Sequence, residues 1–402
     1  MDNSPKSERA IVIGGGPAGL IAAGDLAEGG LATTLLEAAG EFGGRAATER
    51  RQGFDLNQGP HALYVGGPTM GALRRREIDL PRWNPASHRS VFLRGGRSRR
   101  LPGGTWSLGA WLAGVARTRP EDLAGLSVSE WLGQSVRSER ARQAAAALVR
   151  LGTFVADHDA LSADVAATQL KILVSPGVRY LRGGWRSLVD ALASRAREEG
   201  ATLRSRAGVR ELRREDGGWS VALDEETLRA DVVVVATGGP DTAAKLLGEK
   251  APAAPGPAAE VSVLDLGLRG LPRMGRRFAL GIDQPTYLSR HSPPRHPDGV
   301  LLSLASYGRE PRSALESVAD TVQPGWREQV ILERFLPRMV AVSAIPSPAG
   351  GGLTGRPDVE RGDGLYLAGD WLGADGWLVD AAISSGAAAA RAALRHRSLV
   401  AA

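Results

Sequence analysis

A short apolar run, Ala10-Ile11-Val12-Ile13, leads directly into Gly14-Gly15-Gly16-Pro17-Ala18-Gly19, a G-x-G-x-x-G spacing placed between a strand and a helix. Each glycine answers a different demand. Gly14 permits the tight strand-to-helix turn, Gly16 lets a diphosphate approach the backbone with no Cβ in its way, and Gly19 lets the helix pack closely on the strand. Pro17 and Ala18 open the helix, whose free N–H groups and positive dipole end suit an anion. A second strand, Thr33-Thr34-Leu35-Leu36, ends on Glu37, 18 residues past Gly19. A carboxylate there can accept hydrogen bonds from both ribose hydroxyls and would repel a 2′-phosphate. The chemistry expected of residues 10–37 is therefore the holding of a dinucleotide.

Other groups are candidates for proton transfer. His61 follows Gly59-Pro60, and an imidazole titrates in the range a general base needs; a hydrogen-bonded structural histidine is the competing reading. His88, His158, His291, His296 and His396 show no metal-ligand spacing, so no metal site is expected. No G-x-S-x-G elbow suggests a serine nucleophile. The chain has no cysteine, so disulfides, thiolate metal sites and dithiol redox centres are excluded and redox chemistry must belong to a cofactor.

The elements that would carry these residues fall into two groups. Residues 181–257 hold Arg182-Gly183-Gly184-Trp185, a helix over 187–198, strand residues at 202–203 and 209–212, and the apolar strand Val232-Val233-Val234-Val235 before Ala236-Thr237-Gly238. Residues 346–402 hold Leu365-Tyr366-Leu367-Ala368-Gly369-Asp370, a Gly-rich stretch and an Ala-rich helix from about residue 381. Together with residues 1–63 these predict a nucleotide domain of α/β class, assembled from three remote segments. Residues 64–180 have helical spacing, as in Leu108, Trp111, Leu112 and Val115, while 258–345 alternate as strands among Pro-rich loops. They form the expected discontinuous α+β substrate domain. The cleft between two such bodies is where ligands usually bind.

At 402 residues the chain is long enough for two or three cores at ~100–200 residues each, and its 43% hydrophobic and 23% charged content is that of a globular protein. Residues 1–9 are polar and lead straight into the first strand, with no room for a signal peptide, and no uncharged apolar run reaches the ~18–20 residues of a spanning helix. A cytoplasmic location is expected. The net charge is +6, but four lysines stand against 46 arginines scattered among acids. That distribution does not form a binding stripe, and no nucleic-acid partner is expected.

The succession GGGPAGL, Glu37, GGR with a following Thr48, RGGW, ATG and LYLAGDW…DAAISSG resembles the flavin-dependent amine oxidase, protoporphyrinogen oxidase and phytoene desaturase superfamily across essentially the whole chain. The resemblance implies FAD as cofactor on a Rossmann-like, glutathione reductase-like domain. It puts Gly14, Gly16 and Gly19 at the diphosphate, Glu37 at the adenosine ribose, and Gly43, Gly44 and Arg45 beside the diphosphate and ribityl chain. Backbone atoms of Val209 would meet the adenine, and Gly369 and Asp370 would close the far side. Arg45 carries a fixed fork of donors suited to a diphosphate. Asp380, before Ala381 and Ala382, is a candidate N-cap of a helix whose positive end faces the flavin, or simply a capping residue.

Amine oxidases of this superfamily place a lysine near the flavin and an aromatic cage before it. Here the last lysine is Lys250, and Leu378 stands near the cage tyrosine's place, with Trp377 beside it. The segment Ala279-Leu280-Gly281-Ile282-Asp283-Gln284-Pro285-Thr286-Tyr287-Leu288-Ser289 and the GDWLGADGWLVDAAISSG run resemble phytoene desaturase-like proteins more closely, which implies C–C desaturation of a hydrophobic substrate with hydride transfer to flavin N5. The chain is shorter than the carotenoid enzymes, and Leu56-Asn57-Gln58-Gly59-Pro60 replaces their FD-x-GP. Amine oxidation is the alternative; a non-catalytic binding or escort protein is the alternative of another class. Trp371, Trp377 and Tyr287 are candidate substrate-pocket residues, with core or sheet packing as the competing reading. The acceptor of electrons would be dioxygen or a quinone. Residues 106–115 form either a buried cap-helix face or a peripheral membrane contact.

Overall fold

A computed structural model describes residues 8–85, 90–99, 105–174, 177–248, 251–293 and 295–400; His88 and Lys250 lie outside the described residues. Its first sheet has six strands in the order Thr202–Arg204, Ala32–Leu36, Arg9–Ile13, Val232–Val235, Leu365–Leu367 and Glu360–Gly362. All pairings are parallel except the last. The four valines of Val232–Val235 are all buried, as expected of β-branched residues in a strand covered on both faces.

The helix Pro17–Glu28 starts with proline at its first position, where the missing N–H is not needed. It packs against Arg186–Glu198 and the C-terminal helix Val379–Val400. Small residues set that closeness: a Cβ on Gly386 would lie 2.3 Å from the Ala18 carbonyl oxygen. The alanine-rich composition of the last helix thus serves a backbone-to-backbone contact.

A second, seven-stranded sheet runs Val330–Val342, Ala259–Leu268, Val300–Tyr307, Thr286–Arg290, Phe278–Gly281, Ser90–Arg94 and Arg97–Arg99. Alternation along its strands feeds two cores. Val261, Val263, Ala305 and Tyr307 pack toward the helices Thr105–Arg117, Val128–Ser135, Glu139–Thr153 and Ala163–Val174. Leu264, Leu266, Leu302 and Leu304 pack toward the helix Arg312–Val322.

Several elements differ from the sequence reading. The insertion 258–345 contains that helix, which covers the sheet face that alternation alone would leave to solvent. The helical insertion 64–180 contains the hairpin Ser90–Arg94/Arg97–Arg99, turned by Gly95 and Gly96 at φ 57° and 66°; its many arginines obscured the strand pattern. Residue 209 precedes the strand Glu211–Glu215 and is not part of it. Leu108, Trp111 and Val115 of the 106–115 stretch are buried in the core beneath the helical cap. Among the described residues no helix is long and apolar enough to cross a membrane.

Candidate functional site

A cavity of about 590 Å³ opens at the carboxyl ends of the parallel strands, where Ile13, Leu36, Glu37 and Ala236 line it. This is the place such sheets offer a ligand. Gly14, at φ 111°, could carry no Cβ, because the atom would sit 2.5 Å from the Ala236 carbonyl oxygen; on Gly19 it would sit 1.9 Å from that of Gly14. Those two glycines are demanded by the protein's own packing. Gly16 is different. Its φ of −75° and ψ of 176° are open to any residue, and a Cβ there would find nothing nearer than 3.9 Å. The space beside Gly16 belongs to the cavity, which Pro17 and Ala18 also line.

The loop is tied to its neighbours. Gly15 N–H donates to Glu37 Oε2 at 2.6 Å, Ala39 N–H donates to Oε1 at 2.8 Å, and Gly43 N–H donates to the Gly15 carbonyl at 2.8 Å. The Glu37 carboxylate is thereby oriented at the cavity wall, with further acceptor capacity for ribose hydroxyls. Gly44, Arg45, Val209, Gly369, Asp370 and Ala382 also line the cavity. Gly19 and Gly43 stand behind that lining as packing and clamping residues.

Arg45 is not free to serve an anion alone. Its Nη1 and Nη2 donate to both oxygens of Asp370 at 2.9 and 2.6 Å, and Ser343 N–H donates to the same carboxylate at 2.9 Å. Burial pushes the Asp370 carboxyl up, but the Arg45 charge and the bonds from Arg45 and Ser343 outweigh it and hold the group below its ordinary range. Burial likewise opposes the Arg45 charge, and Asp370 more than restores it. The arginine's side chain keeps 38% of its surface exposed where it faces the cavity, against 3% for Asp370. The expected ribityl partner is therefore first an anchor for the arginine.

Asp380 does not cap its own helix. Val379 begins that helix, and the Asp380 carboxylate accepts the Thr69 N–H at 2.9 Å, holding the start of Pro68–Arg75 instead. At 1% exposure, burial raises its carboxyl to about 6 against the opposing Thr69 bonds. Leu378, Val379 and Ala382, around the helix's first turn, face the cavity.

A second cavity of about 190 Å³ shares Pro60, His61, Ala62, Tyr64 and Phe154 with the first. His61 Nδ1 donates to the Gly59 carbonyl at 2.9 Å, and its ring lies 4.8 Å from that of Trp185. Burial lowers its pKa to about 4, a shift to which the nearby Arg45 charge adds and which the Gly59 bond partly resists. The imidazole is neutral at pH 7 and weakly basic.

The remaining walls are largely aromatic: Trp83, Tyr180, Phe278 and Tyr287. Phe154 stands at the C-cap of Glu139–Thr153 with φ 61°, an uncommon conformation for a bulky residue, and its ring meets those of Tyr287 and Tyr307 edge-on. Phe154, Tyr64, Trp83 and Tyr180 carried no periodic signal that could have singled them out. Trp371 and Trp377, expected at this wall, line neither cavity. Each is 1% exposed, and Trp377 Nε1 donates to the Thr153 carbonyl at 2.9 Å. Such large surfaces are better covered in the core than at a ligand.

The sequence matches the family model "Flavin containing amine oxidoreductase" over residues 17–394. No curated protein matches it significantly. Among solved structures, cyclohexylamine oxidase from Brevibacterium oxydans IH-35A is similar at 15% identity and TM-score 0.75, covering 98% of this chain and 100% of its own. An oxidoreductase from Methanosarcina mazei aligns at 19% identity and TM-score 0.74, covering 94% and 99%. A protein from Exiguobacterium sp. 255-15 assigned provisionally as a protoporphyrinogen oxidase aligns at 18% and 0.73, covering 98% and 100%. The chain belongs to the flavin-containing amine oxidoreductases: it is an FAD-dependent oxidoreductase with the mixed α/β fold of that superfamily.

Proposed function

We propose that this flavoenzyme dehydrogenates a hydrophobic small molecule held in the aromatic cavity, by C–C desaturation. The observation that carries the reading is the pairing of two adjoining spaces: a nucleotide-sized cavity and an aromatic one that shares Pro60, His61, Ala62, Tyr64 and Phe154 with it and has no carboxylate among its lining residues. A binding site for an ammonium would need such a group or its equivalent. No lysine follows Lys250 in the sequence, and Lys245 lines the larger cavity and not the aromatic one.

In this reading residues 1–63, 181–257 and 346–402 form a Rossmann-like, glutathione reductase-like FAD-binding domain, and 64–180 with 258–345 form the substrate domain. Gly14, Gly16, Pro17, Ala18 and Gly19 shape the diphosphate cradle, and Glu37 takes the adenosine ribose. Val209 meets the adenine, and Gly43, Gly44, Arg45, Gly369, Asp370 and Ala382 surround the rest. The open space at Gly16 and the oriented Glu37 carboxylate fit that cofactor. Bound there, FAD supplies a two-electron acceptor for a hydride equivalent at N5.

The chain's own residues bind, orient and exclude water. Aromatic walls hold the substrate against the shared wall, and the neutral His61 accepts or relays a proton through Nε2, Nδ1 being engaged by Gly59. Dioxygen or a quinone then takes up the electrons. Amine oxidation is the second reading, favoured by the fold shared with cyclohexylamine oxidase; aromatic walls accept an uncharged amine.

Anaerobic mixing of the purified yellow protein with ring hydrocarbons bearing allylic or dihydroaromatic C–H bonds, and separately with cyclic amines, decides between them. Bleaching by the former supports desaturation. Bleaching by amines alone overturns it.

A further inference from the structure

The aromatic cavity is lined by two cationic side chains and, among the described residues, by no acidic one. Arg277 and Arg290 both line it, and neither forms an ion pair among the described residues. Arg290 is only 8% exposed, its guanidinium carbon lies 5.4 Å over the ring of Trp83, and its buried Nη2 has no hydrogen-bond partner among the described residues. Stacking on an indole face satisfies a guanidinium's π-surface and leaves its in-plane N–H donors unanswered. A buried donor in that condition carries an unmet desolvation penalty. Burial, and then the like charge of Arg277, both disfavour the Arg290 cation as it stands.

A ligand that brought a carboxylate would relieve all of this at once, because the guanidinium fork matches a carboxylate's two oxygens. Arg290 ends the strand Thr286–Arg290, and its backbone N–H bonds the Arg277 carbonyl at 2.9 Å, so the two arginines are held together by the sheet. They line the aromatic cavity and not the nucleotide cavity, whereas Pro60, His61, Ala62, Tyr64 and Phe154 line both. The cavity therefore has a cationic wall and a cofactor wall. Its volume, about 190 Å³, compares with the ~150 Å³ of an apolar cavity that accepts benzene.

We propose that the substrate is an apolar carboxylic acid of about one ring, its acid group held by Arg290 with Arg277 adding charge, and its ring directed toward the His61 wall. This rests on the reading of the aromatic cavity as the substrate site and adds the substrate's charge.

The test is isothermal titration of the FAD-loaded protein with benzoate, cyclohexanecarboxylate and phenylacetate, each against its uncharged amide, with tryptophan fluorescence as a second readout because Trp83 underlies Arg290. The expected result is that at least one acid binds the parent protein tenfold or more tightly than its amide. In Arg290→Met, which keeps an unbranched apolar side chain over Trp83, that acid should weaken at least tenfold while the amide is unchanged. Equal binding of acids and amides by the parent overturns the proposal without recourse to a variant, and so does Arg290→Met binding the acid as tightly as the parent. Neither readout requires flavin reduction. Acid-selective binding in a protein whose flavin no C–H donor bleaches would remove the desaturation reading alone, and loss of selectivity in a protein that is bleached would remove this one alone.

Discussion

Replacing Gly16 by valine should empty the protein of FAD and leave its fold intact. The backbone at Gly16 is already extended, and a Cβ there meets only the Gly43 carbonyl oxygen, at 3.9 Å. The change at a helix N-cap costs at most ~1 kcal/mol of stability. The three added carbons would instead enter the cavity space proposed for the diphosphate. If its oxygens are pushed off two backbone N–H groups, the loss is ~3–6 kcal/mol at ~1.5–3 kcal/mol per charge-assisted bond. Affinity then falls by ~10²–10⁴, at ~1.4 kcal/mol per tenfold. Gly19→Val is the control, because its Cβ would overlap the Gly14 carbonyl oxygen at 1.9 Å and the damage falls on the fold itself. The assays are flavin absorbance per chain after purification, titration of FAD-free protein with FAD, and thermal unfolding of both variants without FAD. Gly16→Val should bleed flavin and melt near the parent; Gly19→Val should melt well below it. Full flavin content in Gly16→Val, or equal melting losses in the two, would refute the claim that Gly16 is kept small for the ligand and Gly19 for the protein.

Three further outcomes follow from the same geometry. Asp370→Asn, which removes the negative partner of Arg45 and weakens the acceptor of Ser343 N–H, should lower stability by ~2–4 kcal/mol, read as a lower denaturation midpoint in the FAD-free protein. Burial holds the pKa values of His61 and His158 at about 4 and that of His291 at about 3. The unfolded chain binds these protons near ~6.5, so their contribution is present above that pH and is lost as pH falls from ~6.5 toward 4; thermal unfolding between pH 7 and 4 should show it, and His291→Phe should flatten the fall. Trp377→Phe, which loses the bond to the Thr153 carbonyl, should cost ~1 kcal/mol in stability and leave flavin content unchanged, whereas a pocket role would alter flavin binding or the flavin spectrum.

The parts of this molecule legible in the sequence are those whose geometry is local. Gly14 to Glu37 form one strand-helix-strand unit, so spacing alone dictated where each residue falls, and Gly369 follows directly from a buried strand end. What spacing does not encode is partnership across the fold. Arg45 and Asp370 are 325 positions apart and were each legible as a ligand-facing residue; that they face one another, with Ser343 as third member, required the tertiary structure. Asp380 had the sequence neighbours of a helix cap, yet the helix starts one residue earlier and its carboxylate serves Thr69, 311 positions away. Ala259–Leu268 is buried along nearly its whole length, so the solvent side that alternation implies does not exist. Trp371 and Trp377 illustrate the same limit: size and place in a Gly-rich closure suited them equally to a core and to a pocket.

The wall between the two cavities shows why the aromatic cavity was the least readable part of the site. It is made of Pro60, His61, Ala62 and Tyr64, from the segment after the hairpin strand Phe54–Asn57, and Phe154, from the helical cap. Phe154 is carried at positive φ, and the residue before it is fixed by Trp377 from the C-terminal closure. Three remote segments thus meet where one cavity ends and the other begins. Trp377 also lies just before Leu378 and Val379 at the larger cavity, so the C-terminal closure touches the surroundings of both spaces. Trp377, which sequence reasoning placed at the pocket, lines neither cavity and is joined to this wall one layer behind it, through the Thr153 carbonyl.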